Sequence, residues 1–293
     1  MGDVQDERDT MRTLAVAGAL ALLGVVPAAQ QARFTAKVES VRVDVLATAG
    51  NNPVTDLTAA DFEIKDNGVV QKVSLVGSDK VPVNVMLALD TSASLSHDRL
   101  TRLRAACAAL IDKLLPGESA GLITFSHVVT QRQALTADLR RVSDALSLVE
   151  PSGNTSLSDA VSLGLSVADQ TDDRALLVVF SDGVDTNSWQ PEDVILASAR
   201  RSETVVYGVA VTPEGGSPHF LRDVAEETGG KMLEVRSNDR LEAAFVQILE
   251  EFRQRYLLSY SPAGATKPGW HKIEVRVKRR GVTVKARPGY FAR

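Results

Sequence analysis

The sequence has little of several features that mark common functional classes. It contains one cysteine, Cys107, so no intrachain disulfide can form. The four histidines show no metal-ligand spacing, which leaves a zinc site without support. They are His97, His127, His219 and His271. The formal net charge of −4 argues against a general nucleic-acid-binding protein, which would carry a basic surface.

The N-terminal apolar run is too short to be a comfortable membrane span. Arg12 precedes this run, which extends from Leu14 to Val26, and small residues follow in Pro27-Ala28-Ala29-Gln30. A positive start, a short apolar stretch and a small-residue exit describe a secretory signal peptide, expected over residues 1–32. We therefore expect a secreted or periplasmic protein with no stable membrane span after cleavage. An uncleaved N-terminal anchor and a start at Met11 stay open.

The rest of the chain is long enough for more than one domain. Its 293 residues are 44% hydrophobic and 24% charged, which is ordinary for a globular protein with a sizeable core. From residue 81 to 255, strands and helices alternate, which predicts a Rossmann-like, doubly wound α/β domain with a mainly parallel sheet. The flanking patterns predict an N-terminal β segment over 33–80 and a C-terminal β segment over 256–293.

The two flanking segments carry amphipathic strands that are too few to be stable separately. In the first, Phe62 and Ile64 alternate with polar residues before a turn at Asp66-Asn67-Gly68. In the second, Ile273 and Val275 alternate with charged residues in the same way. We therefore predict that the two segments pair into one discontinuous β-sandwich.

The middle of the chain contains an acidic strand end followed by alternating hydroxyls. The apolar run Val83–Leu89 predicts a buried strand, and Asp90, Ser92 and Ser94 follow it. Alternate residues of an extended backbone project to the same side, so these three side chains should aim at one point. That point lies at the C-terminal edge of the sheet, where open α/β sheets place their ligands. Taken alone, the short pattern is better explained by a strand-end acid beside a helix cap.

Two later stretches supply further oxygens. Thr155 stands at the start of a predicted helix, and Asp182 follows the apolar strand Val178–Phe180. Ser181, which precedes Asp182, is expected to point to the other side of that strand. Two carboxylates and three hydroxyls suit Mg²⁺ or Mn²⁺ better than Ca²⁺, which prefers more ligands, or Zn²⁺, which prefers nitrogen and sulfur.

This set resembles the von Willebrand factor A (VWA) domain and its metal-ion-dependent adhesion site (MIDAS). The family pattern is Asp-x-Ser-x-Ser after the first strand, a distant Thr, and Ser/Thr-Asp-Gly after the fourth strand. Ala93 stands where many members have glycine and Leu95 where many have methionine, and neither change removes an oxygen. The matching metal-site positions are Asp90, Ser92, Ser94, Thr155 and Asp182.

The flanks are similar to a bacterial VWA-related family named for acidobacteria. The similarity is carried by Val54–Phe62, by Asp66-Asn67-Gly68 and by Ala286–Tyr290 near the end of the chain. Members of that family are predicted to be exported, so the resemblance agrees with the signal peptide expected here. It implies a fold, a metal and a compartment, but no particular role.

The VWA resemblance implies a binding module rather than an enzyme. In such a module a bound Mg²⁺ or Mn²⁺ takes a carboxylate from an acidic residue of a protein partner, which gives metal-dependent adhesion. One alternative is a structural envelope scaffold in which the metal only holds the sheet edge together. Another is a Mg²⁺-dependent phosphatase with Asp90 as nucleophile, although such enzymes need an acid where this chain has Ser92.

Overall fold

A computed structural model describes residues 40–76, 81–170, 173–181, 183–211, 218–265 and 267–292. The expected signal peptide, residues 1–32, and the expected metal ligand Asp182 lie outside these residues. Within them, an α/β region stands between two β segments in the chain, as the sequence predicts.

The described elements follow in chain order. The N-terminal strands are β1 (Val41–Ala49), β2 (Asn52–Pro53), β3 (Phe62–Asp66), β4 (Val69–Gln71) and β5 (Ser74–Val76). The central elements are β6 (Val83–Asp90), α1 (His97–Ile111), β7 (Ser119–Phe125), β8 (Val129–Thr136), α2 (Leu139–Ser147), α3 (Leu157–Ala168), β9 (Arg174–Phe180), α4 (Glu192–Ala199), β10 (Val205–Val211), α5 (His219–Glu227), β11 (Lys231–Val235) and α6 (Leu241–Arg253). The C-terminal strands are β12 (Tyr256–Tyr260), β13 (Gly269–Val277), β14 (Thr283–Lys285) and β15 (Gly289–Ala292).

Strand β6 lies in the interior of the central sheet, where every residue of the strand is buried. All eight residues of β6 are buried, as expected for a parallel strand that is covered on both faces. The strand order is β11-β10-β9-β6-β7-β8. All neighbouring strands of this sheet are parallel except β7 and β8. Strand β8 lies at the edge of the sheet and runs antiparallel to β7.

Helices cover both faces of this sheet. Val85, Leu87 and Leu89 of β6 pack in one core with the apolar faces of α1, α2 and α6. Met86 and Ala88 point the other way and pack with α3, α4 and α5. The doubly wound α/β fold expected from the sequence is therefore confirmed.

The flanking segments pair with each other, as predicted. One sheet has the order β14-β1-β12-β5, with β2 also paired to β1, and a second sheet has the order β15-β13-β3-β4. Both sheets therefore combine strands from before and after the central region. Val43, Ile64 and Leu258 are among the buried residues of the core that the two sheets share. The consecutive strands β13 and β14 lie in different sheets.

Buried arginines join the sandwich to one edge of the central sheet. Arg174, the first residue of β9, forms a buried ion pair with Asp44 of β1 and donates to the Phe252 carbonyl at 3.1 Å. Arg287, which precedes β15, donates to the Ser202 carbonyl ahead of β10 at 3.3 Å. These contacts lie where the parallel strands begin, so the sandwich occupies the N-terminal edge of the sheet. Val38–Arg293 form one compact unit, and the domain boundaries expected after residues 80 and 255 stay a prediction.

A buried histidine lies inside the sandwich. Asp66 is fully buried and accepts hydrogen bonds from the hydroxyls of Tyr260 at 3.0 Å and Tyr290 at 2.8 Å. His271 is 1% exposed, and its two ring nitrogens face the Asp66 carboxylate at 2.6 Å and the Lys267 carbonyl at 2.5 Å. Because both partners are acceptors, the ring binds best when both nitrogens carry protons. Burial lowers the pKa of His271, but the two hydrogen bonds outweigh it and raise the pKa above 6.5.

This histidine should make the stability of the protein depend on pH. Since the folded-state pKa is raised, the stabilisation is complete below the unfolded value of 6.5 and is lost as pH rises through the folded pKa. We expect the free energy of unfolding to fall as pH rises above 6.5, as urea denaturation at a series of pH values would measure. His271→Gln should remove this dependence, whereas the exposed His219→Gln should keep it. An unchanged pH profile in His271→Gln would contradict the assignment.

Candidate metal site

The polar residues at the ends of β6 and β9 lie where the chain leaves neighbouring strands towards opposite faces of the sheet. β6 and β9 are neighbouring parallel strands, with Leu89 beside Phe180. The chain leaves β6 towards α1 on one face and leaves β9 towards α4 on the other. This is the topological switch point at which open α/β sheets form a crevice for ligands. The sandwich lies at the opposite edge and leaves this one uncovered.

Asp90 is held rigidly at the base of this crevice. Its side chain is fully buried, and its Oδ1 atom accepts a hydrogen bond from the Ser92 backbone N–H at 2.9 Å. Its Oδ2 atom accepts from the Ser181 hydroxyl at 2.8 Å. These two hydrogen bonds fix the position of the Asp90 carboxyl group at the end of the central strand.

The expectation that Ser181 points away from the site was wrong. The reason is the register of the two parallel strands, which sets position 181 directly after Phe180 and therefore beside Asp90. Neighbouring residues in register project to the same face of a sheet, so the two side chains meet. The missed signal was available, since two adjacent parallel strands that both end in polar residues place those residues side by side.

Ser92 and Ser94 lie above Asp90 with their hydroxyls close together. Their Oγ atoms are 3.0 Å apart, and Ser92 is buried whereas Ser94 is exposed. In an octahedral Mg²⁺ site with ligands at about 2.0–2.1 Å, neighbouring ligand oxygens are about 2.9 Å apart. The spacing of the two hydroxyls therefore fits two adjacent positions around such an ion.

Thr155 approaches the site from the loop before α3. It is 6% exposed, and a Cβ atom built on Gly183 would lie 3.6 Å from its Oγ1 atom. The loop that follows β9 therefore lies near the Thr155 hydroxyl. Four of the five expected ligands are thus described at this edge, and the fifth, Asp182, belongs to the part of the loop that the structure does not describe.

Backbone hydrogen bonds tie the three loops together. The Ser152 N–H donates to the Thr91 carbonyl at 2.7 Å, and the Ala93 N–H donates to the Gly153 carbonyl at 2.9 Å. The Thr186 N–H donates to the Thr155 carbonyl at 2.9 Å. These bonds involve no metal ligand side chain, so the protein backbone itself sets the arrangement of the loops.

Asp185 fastens the loop after β9 to the start of α3. Its carboxylate accepts from the backbone N–H groups of Ser158 at 2.7 Å, Ser188 at 3.0 Å and Asn187 at 3.2 Å. Burial raises the pKa of Asp185, but these hydrogen bonds more than compensate and the pKa is lowered. The sequence showed only the local turn, which the bonds to Asn187 and Ser188 form. The bond to Ser158 of α3 joins residues 27 positions apart and could not be predicted from that pattern.

Side chains typical of transition-metal sites do not gather in the described residues. There, no group of three or more His, Cys, Asp or Glu side chains could hold a metal ion. Cys107 is buried, and burial raises the pKa of its thiol, which keeps it unreactive. No helix within the described ranges is long and apolar enough to cross a membrane.

Comparison with known proteins agrees with this architecture. Residues 85–184 match the family model of the von Willebrand factor type A domain. A curated human protein, inter-alpha-trypsin inhibitor heavy chain H4, is 25% identical over 189 residues, which cover 59% of this chain. The match spans only 20% of that relative's own length.

Solved structures show the same fold at low sequence identity. A von Willebrand factor type A protein from Catenulispora acidiphila has a TM-score of 0.56 and 12% identity, with 81% of this chain and 75% of that chain covered. Proximal thread matrix protein 1 from the mussel byssus, with a zinc-occupied MIDAS motif, has a TM-score of 0.52 and 15% identity, with 63% and 49% covered. These likenesses concern the fold alone.

Gly153 is the backbone position on which the packing of the loops depends. It has φ +66°, and a Cβ atom there would lie 2.0 Å from Nδ1 of His127. Gly50 has a similar φ of +61° but nothing within 4 Å of such an atom. Gly153→Ala should therefore lower the free energy of unfolding by more than Gly50→Ala. The Gly50 variant should lose only the left-handed backbone penalty of about 1–2 kcal/mol.

Urea denaturation of the two variants would measure this difference. Gly153→Ala should also weaken metal binding, because the clash with the His127 ring would shift the loop that carries both Gly153 and Thr155. Gly50→Ala should leave metal binding unchanged. Equal destabilisation of the two variants would show that the contact with His127 imposes no constraint.

Proposed function

We propose that the von Willebrand factor type A domain of this chain is an exported binding module that captures an acidic residue of a protein partner through a divalent cation. The observation that supports the proposal is that Asp90, Ser92 and Ser94 lie at the end of β6, where backbone hydrogen bonds join their loop to the loop that carries Thr155. VWA domains commonly serve as metal-dependent interaction modules, and this chain has the hydroxyls and the carboxylate that such a site needs.

The five expected site residues have two roles: some hold the ion through neutral oxygens, and the others supply negative charge. Ser92, Ser94 and Thr155 supply neutral oxygens that would hold the ion directly, and Asp90 and Asp182 supply the negative charge, either directly or through water. Two carboxylates balance a divalent ion without adding charge, so the site stays able to take one more anion. Hard oxygens alone favour Mg²⁺ or Mn²⁺. The bound ion would supply an open coordination position at which a partner's carboxylate can bind.

The exposure of these residues gives the direction from which a partner approaches. Asp90 is fully buried beneath the site, whereas Ser94 is exposed to solvent. A carboxylate can therefore reach the ion across Ser94. The same geometry argues against a phosphatase, because a fully buried carboxylate with both oxygens hydrogen-bonded is a poor nucleophile.

The loops also argue for binding rather than a scaffold role for the metal. Backbone bonds between Thr91 and Ser152, and between Thr155 and Thr186, hold the loops together independently of an ion. If the metal served mainly to hold this edge, the loops would need it for their arrangement. We therefore expect metal removal to abolish capture while leaving most of the folding stability intact.

Titration calorimetry on the purified chain tests the metal site. We expect Mg²⁺ or Mn²⁺ to bind more tightly than Ca²⁺ or Zn²⁺, Asp90→Ala to abolish binding, and Thr155→Ala to weaken it about tenfold or more. Thr101→Ala is the matched control, because Thr101 is an exposed threonine of α1 whose hydroxyl bonds only within its helix. Tight Ca²⁺ binding that survives Asp90→Ala would place the ion elsewhere.

Capture of a partner from the native envelope fraction tests the function itself. It should disappear with EDTA and with Thr155→Ala, while the urea denaturation curve stays close to that of the unchanged chain. A stability that collapses on metal removal, with no metal-dependent partner retained, would favour the scaffold instead. Turnover of a phosphate ester would favour the phosphatase.

Export is the part of the proposal that depends on the N-terminal segment. The apolar run after Arg12 and the small residues after it support cleavage near residue 32. N-terminal sequencing of the protein recovered from its producing cells should find a start close to residue 33, in a periplasmic or secreted fraction. A cytoplasmic protein that keeps the apolar run would refute export.

A further inference from the structure

Exposed apolar side chains surround the candidate metal site. Val128 is 56% exposed, Val184 is 73% exposed and Trp189 is 90% exposed. Each lies in a loop at the C-terminal edge of the sheet: Val128 follows β7, and the other two follow β9. A largely exposed tryptophan forgoes a burial worth about 2–3 kcal/mol, which folding alone gives no reason to forgo.

The three side chains belong to the same assembly of loops as the metal ligands. Val184 lies two residues before Thr186, whose N–H donates to the Thr155 carbonyl at 2.9 Å. Val128 follows His127, whose carbonyl accepts from the Asn187 side chain at 3.2 Å. The loop after β7 is therefore joined to the loop that carries Val184.

The backbone that presents Trp189 is held in place. Asp159, in the first turn of α3, accepts from the Trp189 N–H at 2.9 Å and from the Gln190 N–H at 3.1 Å. The Gln190 side chain donates to Ser162 at 3.1 Å on the same helix. Because α3 begins just after Thr155, one helix anchors both the backbone that carries Trp189 and the loop that carries an expected metal ligand. Tryptophan is enriched among the hot spots of protein interfaces.

The charges of these loops limit what the partner can be. The four described segments around the site are 91–94, 126–128, 151–156 and 183–190. They contain no lysine or arginine, and Asp185 directs its carboxylate to backbone N–H groups. Within these four segments, a polyacidic partner would find no lysine or arginine side chain with which to pair. Apolar area, an aromatic residue and few charges instead describe the core of a protein interface.

We propose that this edge recognises a protein segment in which one acidic residue is bordered by apolar side chains, with Trp189 packing against those neighbours. The proposal rests on the function proposed above, since the acidic residue binds the metal. It adds the chemistry by which the module would choose among the many carboxylates that any protein mixture offers.

A displayed peptide library tests this choice. The library has a fixed central aspartate and random flanking residues, and it is panned on the intact chain in Mn²⁺ or Mg²⁺ with elution by EDTA. We expect eluted peptides to be enriched in aromatic and aliphatic flanks. Trp189→Ala should weaken their binding about tenfold or more. Leu115→Ala is the matched control, because Leu115 is a 56% exposed apolar residue in the α1–β7 connection, ahead of the strand and away from the metal edge.

Each result decides a different question. EDTA-sensitive binding with acidic or polar flanks, or with no loss in Trp189→Ala, would overturn the apolar recognition and leave metal-dependent capture standing. If no aspartate peptide is retained in a metal-dependent manner, both proposals fall. Metal-independent self-association that Trp189→Ala abolishes would assign the patch to a second copy of the chain, and would also overturn the recognition proposed here.

Discussion

The register between β6 and β9 is the constraint on which the site depends. It places Leu89 beside Phe180, so the next residue of each strand, Asp90 and Ser181, meet at the same edge. Because β6 is buried along its whole length, a shift of this register would move an entire set of core side chains to the opposite face. The hydrophobic core therefore fixes the position of a polar site in which it takes no direct part.

The sandwich stabilises the opposite edge of the same sheet. Arg174, at the beginning of β9, is bound to Asp44 and to the Phe252 carbonyl, so a buried charge joins the flanking strands to the central region. Such a pair contributes little net stability but is costly to break, because an unpaired charge would then stay buried. The N-terminal edge of the sheet is thus held by contacts with the sandwich. The loops at the C-terminal edge lie at the opposite ends of the strands and can vary with function.

Sequence patterns predicted local structure well and long-range partners poorly. The burial of β6 followed from its apolar run, and the group of Asp90, Ser92 and Ser94 followed from alternation. The pairing of the two β segments was predicted because neither could be stable separately, but alternation could not show that β13 and β14 enter different sheets. The contact of His271 with Asp66 was equally hidden, since 205 residues separate the two and each is unremarkable in its own stretch.

At the metal edge, the affinity for a partner and the selectivity between partners come from different parts of the site. A divalent ion held by Ser92, Ser94 and Thr155 would attract every accessible carboxylate by the same electrostatic force, so it can supply affinity but little choice. The fold cannot supply choice either, because the same sheet and helices recur in proteins with 12–15% identity to this chain. Discrimination must therefore come from the loop surface around the ion. In this chain the four described segments of that surface carry no lysine or arginine and present an exposed indole.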